Sequence, residues 1–258
     1  MATLLLIPNT LDLGCEPVPL EEVLPRGVIA QAAQLEHWIA EDAKSARAFL
    51  KRVAAIEPLV RPLQELNIQE LPRPHKGGRA TSSARTPSGG QGNEWADLLA
   101  PLARGLDMGL ISEAGLPAVA DPGSAVVAQA HRMGAVVRPL SGPNSMVLAL
   151  AASGLQGQSF AFVGYLPQDA EARRARLREL QQRSRREGQT QLLIETPYRN
   201  ATVMAALLED LDPDTRVSVA CGLSLPQGWC RTATVAQWRK APPTFDKGVP
   251  AVFGFLGY

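Results

Sequence analysis

The stretch from Gly109 to Ser145, GLISEAGLPAVADPGSAVVAQAHRMGAVVRPLSGPNS, decides the fold. Two short apolar runs in it are each followed at once by small, turn-forming residues and then by a helical pattern. The first is Met108 to Ile111, ahead of Ser112-Glu113-Ala114-Gly115-Leu116-Pro117; the second is Val136 to Leu140, ahead of Ser141-Gly142-Pro143-Asn144-Ser145. Strand, tight turn and helix in repetition is the pattern of a parallel sheet with helical crossovers. In such sheets ligands sit at the carboxyl ends of strands, where these turns lie. Gly115, Gly123 and Gly142 would let a bound molecule approach the backbone closely. The plain alternative is that glycine and proline only punctuate connections, as they do in every α/β protein.

Working outward, Leu4 to Ile7 reads as a first strand, followed by the turn-rich Pro8 to Gly14. A helix over Leu20 to Gln34 is interrupted by Pro25 and Gly27. His37 to Ala40 reads as a strand, Asp42 to Val53 as a helix with Ala46, Phe49, Leu50 and Val53 on one face, and Leu66 to Leu71 as a third strand. From Pro72 to Asn93 the chain is Pro, Gly, Ser, Thr and Arg with almost nothing apolar, so a flexible basic loop carrying Lys76, Arg79 and Arg85 is expected. A helix capped by Asp121 and opened by Pro122 is expected after the first turn. Another follows Pro143, with Met146, Val147, Leu150 and Ala151 inward. Asp169 to Glu187 is an arginine-rich helix with seven Arg against three Glu. Strands are expected at Ser159–Gly164, Gln191–Glu195, Arg216–Ala220, Cys230–Val235 and Val249–Leu256, which makes the second half strand-rich and its sheet mixed. The expected division is into two α/β domains, residues 1–106 and 107–258, with the ligand cleft between them.

The chain has 258 residues, a net charge of +1 and 20% charged residues, so no global charge draws it to nucleic acid, although local patches still matter. Its three cysteines (Cys15, Cys221, Cys230) lack metal spacing and read as a reduced set. The opening MATLLLIP reads as a strand rather than a leader, and no apolar stretch approaches the roughly 18 residues of a membrane span. A soluble cytoplasmic protein is the expectation. GxGxxG after the first strand, GxxxxGK[ST] and GxSxG are all absent, which argues against ordinary dinucleotide folds, P-loop NTPases and α/β-hydrolases. No two of the three histidines have metal-ligand spacing. What remains is a protein that works by positioning, with backbone-lined pockets and no metal.

Ile111-Ser112-Glu113-Ala114-Gly115-Leu116-Pro117, Ala120-Asp121-Pro122-Gly123, Ser141-Gly142-Pro143-Asn144-Ser145 and Ala152-Ser153-Gly154-Leu155 occur in this order, followed by Phe162-Val163-Gly164-Tyr165-Leu166-Pro167 and Glu195-Thr196-Pro197-Tyr198-Arg199. This series resembles the tetrapyrrole methylase superfamily of S-adenosylmethionine-dependent methyltransferases, and within it the small-subunit ribosomal RNA ribose methyltransferases. Glu41-Asp42 with Arg47 resembles that branch's E-D-x-R segment. The resemblance spans about Ile39 to Arg199. Three features depart from the branch: Pro8 to Gly14 stands where it has G-N-L-G-D, Ala43 follows Asp42 in place of a basic residue, and Ala220-Cys221-Gly222-Leu223-Ser224 stands where it has R-E-L-T-K.

The resemblance implies two α/β/α domains, a methyl donor held in the cleft and homodimers. It implies donor-binding roles for Ser112, Glu113, Ala114, Gly115, Pro117, Asp121, Ser141, Gly142, Pro143, Asn144 and Ser145, with adenine near Pro167 or Leu223. The turns offer backbone N–H groups at helix starts, which suit a carboxylate or ribose hydroxyls; Glu113 either accepts from the donor or only charges a helix start. Glu195, Tyr198 and Glu41 are the candidates for a base, and Arg199 joins Glu195 and Tyr198 in the catalytic set by steering a phosphate; Glu195 is equally a structural cap partner. RNA would be tracked by loop 76–93 and helix 173–186. A tetrapyrrole or other small-metabolite methyltransferase, and a catalytically degenerate donor-binding protein, are the competing expectations.

Overall fold

Leu4, Leu5, Leu6 and Ile7 are all buried. Alternate residues of a strand enter opposite faces, so this run needs a sheet covered on both sides. A computed structural model of the protein describes residues 2–11, 18–72 and 92–258, with residues 92–94 described in backbone only. The first unit contains, in order, β1 (Thr3–Ile7), α1 (Leu20–Val23), α2 (Arg26–Ala33), β2 (His37–Ala40), α3 (Ala43–Ala54), β3 (Asn67–Glu70), α4 (Gly92–Leu98), α5 (Ala100–Ala103), β4 (Met108–Ile111), α6 (Ser124–Arg132) and β5 (Val136–Pro139). Its strands lie in the order β3-β2-β4-β1-β5, all parallel. One face sets Leu5, Ile7, Trp38 and Ile111 against Leu24, Ile29, Phe49, Leu50 and Val53, on and beside α1 to α3. The other sets Leu4, Leu6, Ile39 and Leu110 against Leu98, Leu99, Leu102, Val126 and Ala130, on and beside α4 to α6. The expected loop with Lys76, Arg79 and Arg85 lies outside the described residues.

The expected domain boundary near residue 106 is not where the chain divides. One compact unit runs to Pro143 and the other from Asn144 to Tyr258. The reason is strand order: β4 inserts between β2 and β1, and β5 pairs with β1. Both runs of the central stretch therefore complete the first sheet.

The second unit contains α7 (Ser145–Ser153), β6 (Phe160–Phe162), α8 (Ala170–Glu187), β7 (Thr190–Glu195), α9 (Asn200–Asp210), β8 (Arg216–Cys221), β9 (Trp229–Thr234), α10 (Val235–Lys240) and β10 (Ala251–Leu256). Its sheet, β6-β7-β10-β8-β9, is mixed: β6 and β7 are parallel, and β10 is antiparallel to both β7 and β8. α7 covers one face through Met146, Ala149 and Leu150. Val147, expected inward, is 56% exposed, because the buried stripe runs Met146, Ala149, Leu150, Ser153. α8 starts where Asp169 accepts a hydrogen bond from the Ala172 N–H at 2.9 Å and stops at Gly188, whose φ of +58° suits glycine. α10 went unread in the sequence. It opens on a capping box in which the Thr234 hydroxyl accepts from the Gln237 N–H and the Gln237 side chain accepts from the Thr234 N–H. Buried Trp238 then donates to the Val217 carbonyl at 2.8 Å.

Trp38 shows how tightly the first core is fitted. Its ring is fully buried, meets Phe49 edge-on at 6.4 Å and donates its indole N–H to the Leu35 carbonyl at 3.1 Å. The space it needs is left by Gly109, where a Cβ would stand 2.7 Å from the ring carbon Cε3. Gly109→Ala is expected to destabilise by about 1–3 kcal/mol through overpacking. Gly27→Ala, in α2 with nothing within 4 Å, is expected to stabilise by about 0.5 kcal/mol. Urea midpoints at unchanged slope measure both; a neutral Gly109→Ala would show that Trp38 does not fix this spacing.

Candidate active site

The connection leaving β1 passes to the α1–α3 face, whereas the connection leaving β4 passes to the α6 face. These two strands are neighbours, with Ile7 beside Ile111. A crevice opens at the carboxyl ends of adjacent strands whose connections part in this way. Asn9 ties the two ends together. Its N–H donates to the Gly115 carbonyl and its carbonyl accepts from the Gly115 N–H, both at 2.9 Å. Its side chain donates to the Ser112 and Glu113 carbonyls at 3.2 and 3.0 Å and accepts from the Thr10 N–H at 2.8 Å. Sequence reasoning passed over Asn9; the signal was an asparagine two residues past a buried strand, where its side chain can satisfy turn backbone. Ser112 is buried, its carbonyl taken by Asn9 and its hydroxyl without a protein partner.

Beside this turn stand acids. Glu41 follows β2; its N–H donates to the Ile111 carbonyl at 3.1 Å and its carboxylate accepts from the Glu113 N–H at 3.1 Å. Partial burial, with Glu41 and Asp42 nearby, pushes the Glu113 carboxyl above the ordinary range. Burial, then Glu41 and Glu113, push Asp121 up to about 7. Asp42 caps α3 by accepting from the Ser45 N–H at 2.7 Å. Asp121 does not cap α6, as the sequence suggested: the helix begins at Ser124 with Gly123 as its cap residue, at φ +128°. The segment between holds Ala118 and Ala120 at φ +66° and +64°. Each such residue costs on the order of 1 kcal/mol. Loop geometry, not a helix start, thus places Asp121 against Glu41 and Glu113.

The two other expected glycines differ in kind. Gly115 has φ +74°, and the nearest atom a Cβ would meet is the Pro143 carbonyl oxygen at 3.9 Å, so its surroundings are open. Gly142 is a packing glycine, since a Cβ there would overlap the Pro8 ring and stand 3.0 Å from Leu24. Ser112, Glu113, Ala114, Gly115, Pro117, Asp121, Ser141, Gly142 and Pro143 belong to the first unit; Asn144, Ser145, Pro167 and Leu223 do not. Asn144 caps α7 by accepting from the Val147 N–H at 3.1 Å. Leu223 packs with Ala149, Ala220 and Val252, and the Pro167 carbonyl accepts from Arg173 at 3.4 Å.

The expected catalytic trio lies at the end of β7. One oxygen of the Glu195 carboxylate accepts from the Thr196 N–H at 2.8 Å; the other is buried without a hydrogen bond and ion-pairs with Arg199 at 3.2 Å. Arg199 is thereby paired, while Tyr198 is 90% exposed. The arginines of α8 are also largely committed. Arg174 pairs with Glu209 and Asp210, Arg176 and Arg183 with Glu179, Arg185 with Asp212 and Arg186 with Glu187; Arg173 donates to the Gln168 carbonyl at 2.8 Å. Among the described residues no group of His, Cys, Asp and Glu could hold a metal ion, and no helix is long and apolar enough to cross a membrane.

Relatives share parts of this chain. It is 37% identical over 123 residues to a ribosomal RNA small subunit methyltransferase I of Vibrio cholerae, covering 48% of this chain and 41% of that one. It is 41% identical over 110 residues to the protein of the same name from Micromonospora olivasterospora, covering 43% of this chain and 34% of that one. The aligned part is thus under half the length of these relatives. The fold is similar to that of the methyltransferase CobJ, with a TM-score of 0.56 at 18% identity over 98% of this chain and 92% of that one. Residues 30–237 match the family model described as Tetrapyrrole (Corrin/Porphyrin) Methylases. That match takes in β4 and the turn after it, the acids beside that turn and four of the five strands of each sheet, and the chain belongs to this family.

Proposed function

We propose that the chain is an S-adenosylmethionine-dependent methyltransferase acting on RNA, with a ribose 2′-oxygen of ribosomal RNA as acceptor. The family match is the observation that carries the reaction class; the names of the partial relatives support the acceptor. The crevice fits the donor. S-adenosylmethionine carries one net positive charge, and Glu41, Glu113 and Asp121 gather there. The buried Ser112 hydroxyl and the open backbone at Gly115 leave polar groups for its ribose or amino-acid end. Ser141, Gly142 and Pro143 would line the donor further, with Ala114 and Pro117 shaping the turn.

When bound, the donor supplies a methyl group on a sulfonium sulfur. The chain's own task is then alignment and exclusion of water. Glu195 and Arg199 serve as positioning residues, because their charges are spent on each other and on Thr196. RNA phosphates would meet Lys76, Arg79 and Arg85 rather than α8, whose arginines are largely engaged within the unit. A cytoplasmic homodimer completes the reading.

Calorimetric titration with S-adenosylmethionine and S-adenosylhomocysteine tests the donor, after checking that neither copurifies. Micromolar binding is expected, weakened at least about ten-fold by Gly115→Val, which adds bulk to an open backbone position in a left-handed conformation. A folded protein, free of copurified donor, that binds neither ligand would overturn the reading. Binding of RNA is expected to weaken about ten-fold or more between 50 and 200 mM salt; an affinity indifferent to salt would remove the phosphate contacts.

Asp121 gives a pH test. Its folded carboxyl holds a proton up to about 7, against an ordinary 3.8. The folded state therefore binds more protons than the unfolded state between these values, and Asp121 makes stability fall as pH rises through that window. Asp121→Asn should raise the melting temperature more at pH 8 than at pH 5. The preference for the cationic donor over its neutral product should grow from pH 6 to pH 8 in the wild type and flatten in the variant. A pH-independent ratio in the wild type would remove Asp121 from the donor site.

A further inference from the structure

Tyr198 stands in water, yet the backbone that carries it is fixed on both sides. Before it, the Thr196 N–H donates to Glu195 at 2.8 Å, and Pro197 has its φ set by its ring. After it, the Arg199 N–H donates to the Thr196 carbonyl at 2.9 Å and the Arg199 side chain pairs with Glu195, whose side chain is 2% exposed. Asn200, fully buried, donates to the Val249 carbonyl at 2.9 Å. These polar contacts of the turn all lie within the second unit. Only the ring of Tyr198, 90% exposed, points away from it. An aromatic ring so exposed adds little to the fold. Held on a rigid turn, with two side-chain torsions to settle, it is a low-entropy contact for a flat partner.

The turn sits just past the carboxyl end of β7. On the parallel neighbour β6, the Gly164 carbonyl accepts from the Ile194 N–H at 3.2 Å, so the next residue, Tyr165, leaves the sheet beside Glu195. Tyr165 is 57% exposed. Two exposed tyrosines thus follow the ends of two adjacent parallel strands.

We propose that these tyrosines are a stacking platform for an unpaired nucleobase of the RNA, with Tyr198 the principal contact. This rests on the RNA reading above. Apart from the Tyr198 hydroxyl, the polar side chains that fix the turn are buried or paired within it, so recognition there is by ring face rather than by base edge. Such a contact tolerates any base but needs it unstacked, since duplex bases have both faces covered. Tyr198 thereby leaves the set of catalytic groups and becomes a contact that selects single-stranded substrate.

The test uses the whole chain, a fluorescein-labelled single-stranded RNA of about 12 nucleotides of mixed sequence, the same RNA annealed to its complement, and S-adenosylhomocysteine as a separate ligand. Tyr198→Ala is expected to weaken single-strand binding roughly ten-fold and to leave duplex binding unchanged. Tyr198→Phe should bind as the wild type does, and both variants should keep the wild-type affinity for S-adenosylhomocysteine. The exposure of the ring makes misfolding of these variants a matter that a melting curve settles. Wild-type affinity in Tyr198→Ala overturns the platform. So does a loss of equal size in Tyr198→Phe, which would assign the hydroxyl instead, or a change in mass by light scattering alongside the loss, which would assign the ring to a contact between copies. If the wild type binds S-adenosylhomocysteine and no RNA, the platform falls and the methyl-transfer reading stands. If it binds no S-adenosylhomocysteine while Tyr198→Ala still weakens RNA binding, the platform stands and the methyl-transfer reading falls.

Discussion

The pairing of Asn9 with Gly115 is the constraint on which the first unit's site depends. Two backbone hydrogen bonds and a bifurcated side-chain amide hold the chain leaving β1 against the chain leaving β4. Buried backbone groups in a turn must find partners, and one short amide supplies several at once. With the turn held, Glu113 is pinned through its N–H to Glu41, and the strained segment through Ala118 and Ala120 returns Asp121 to the same place. Three carboxyl groups are thereby gathered by backbone geometry, and burial first, then the charge of their neighbours, raises the proton affinity of Glu113 and Asp121. Local strain and unfavourable charge thus fall together at the crevice proposed for the donor, and both cost stability there.

Much of this was legible because it is local. His37–Ala40 and Met108–Ile111 came out at their observed bounds, since a short apolar run between turn residues has few other readings. The helices read from Asp42 and from Asp169 do begin there, each with that aspartate as its cap residue. The domain boundary was not legible. The runs before Ser112 and Ser141 look alike whichever sheet they join, and only pairing with β1 assigns them to the first. Asp121-Pro122-Gly123 reads as a helix start by composition, but Gly123, at φ +128°, lies outside the helical region and delays the helix to Ser124. The stripe of α7 was mislaid because Met146, Val147, Leu148, Leu150 and the alanines are apolar all round, so periodicity could not choose a face.

Charge on α8 carries a related lesson. Seven arginines in one helix suggest a surface for phosphate, yet six of them find carboxylates or carbonyls within the unit. The acids that satisfy them include Glu209, Asp210 and Asp212, more than twenty residues further on, so the pattern within the helix could not reveal the pairing. Gly142 shows the same limit. Its setting in Ser-Gly-Pro resembles a ligand-binding turn, while the Pro8 ring beside it follows β1, the adjacent strand but remote in sequence.

The place of β10 bears on how the chain is made. It is the last strand in the sequence and the middle strand of the second sheet, with β7 on one side and β8 on the other. During synthesis the β6–β7 pair and the β8–β9 pair emerge first, each with one edge exposed where β10 will lie. They have no strand in common until Ala251–Leu256 arrives. The first sheet has no such delay, because its strands are complete by Pro139. Vectorial synthesis therefore presents a finished first unit beside an open-edged second one. A nascent chain stalled before Ala251 would expose two unpaired edges to its neighbours.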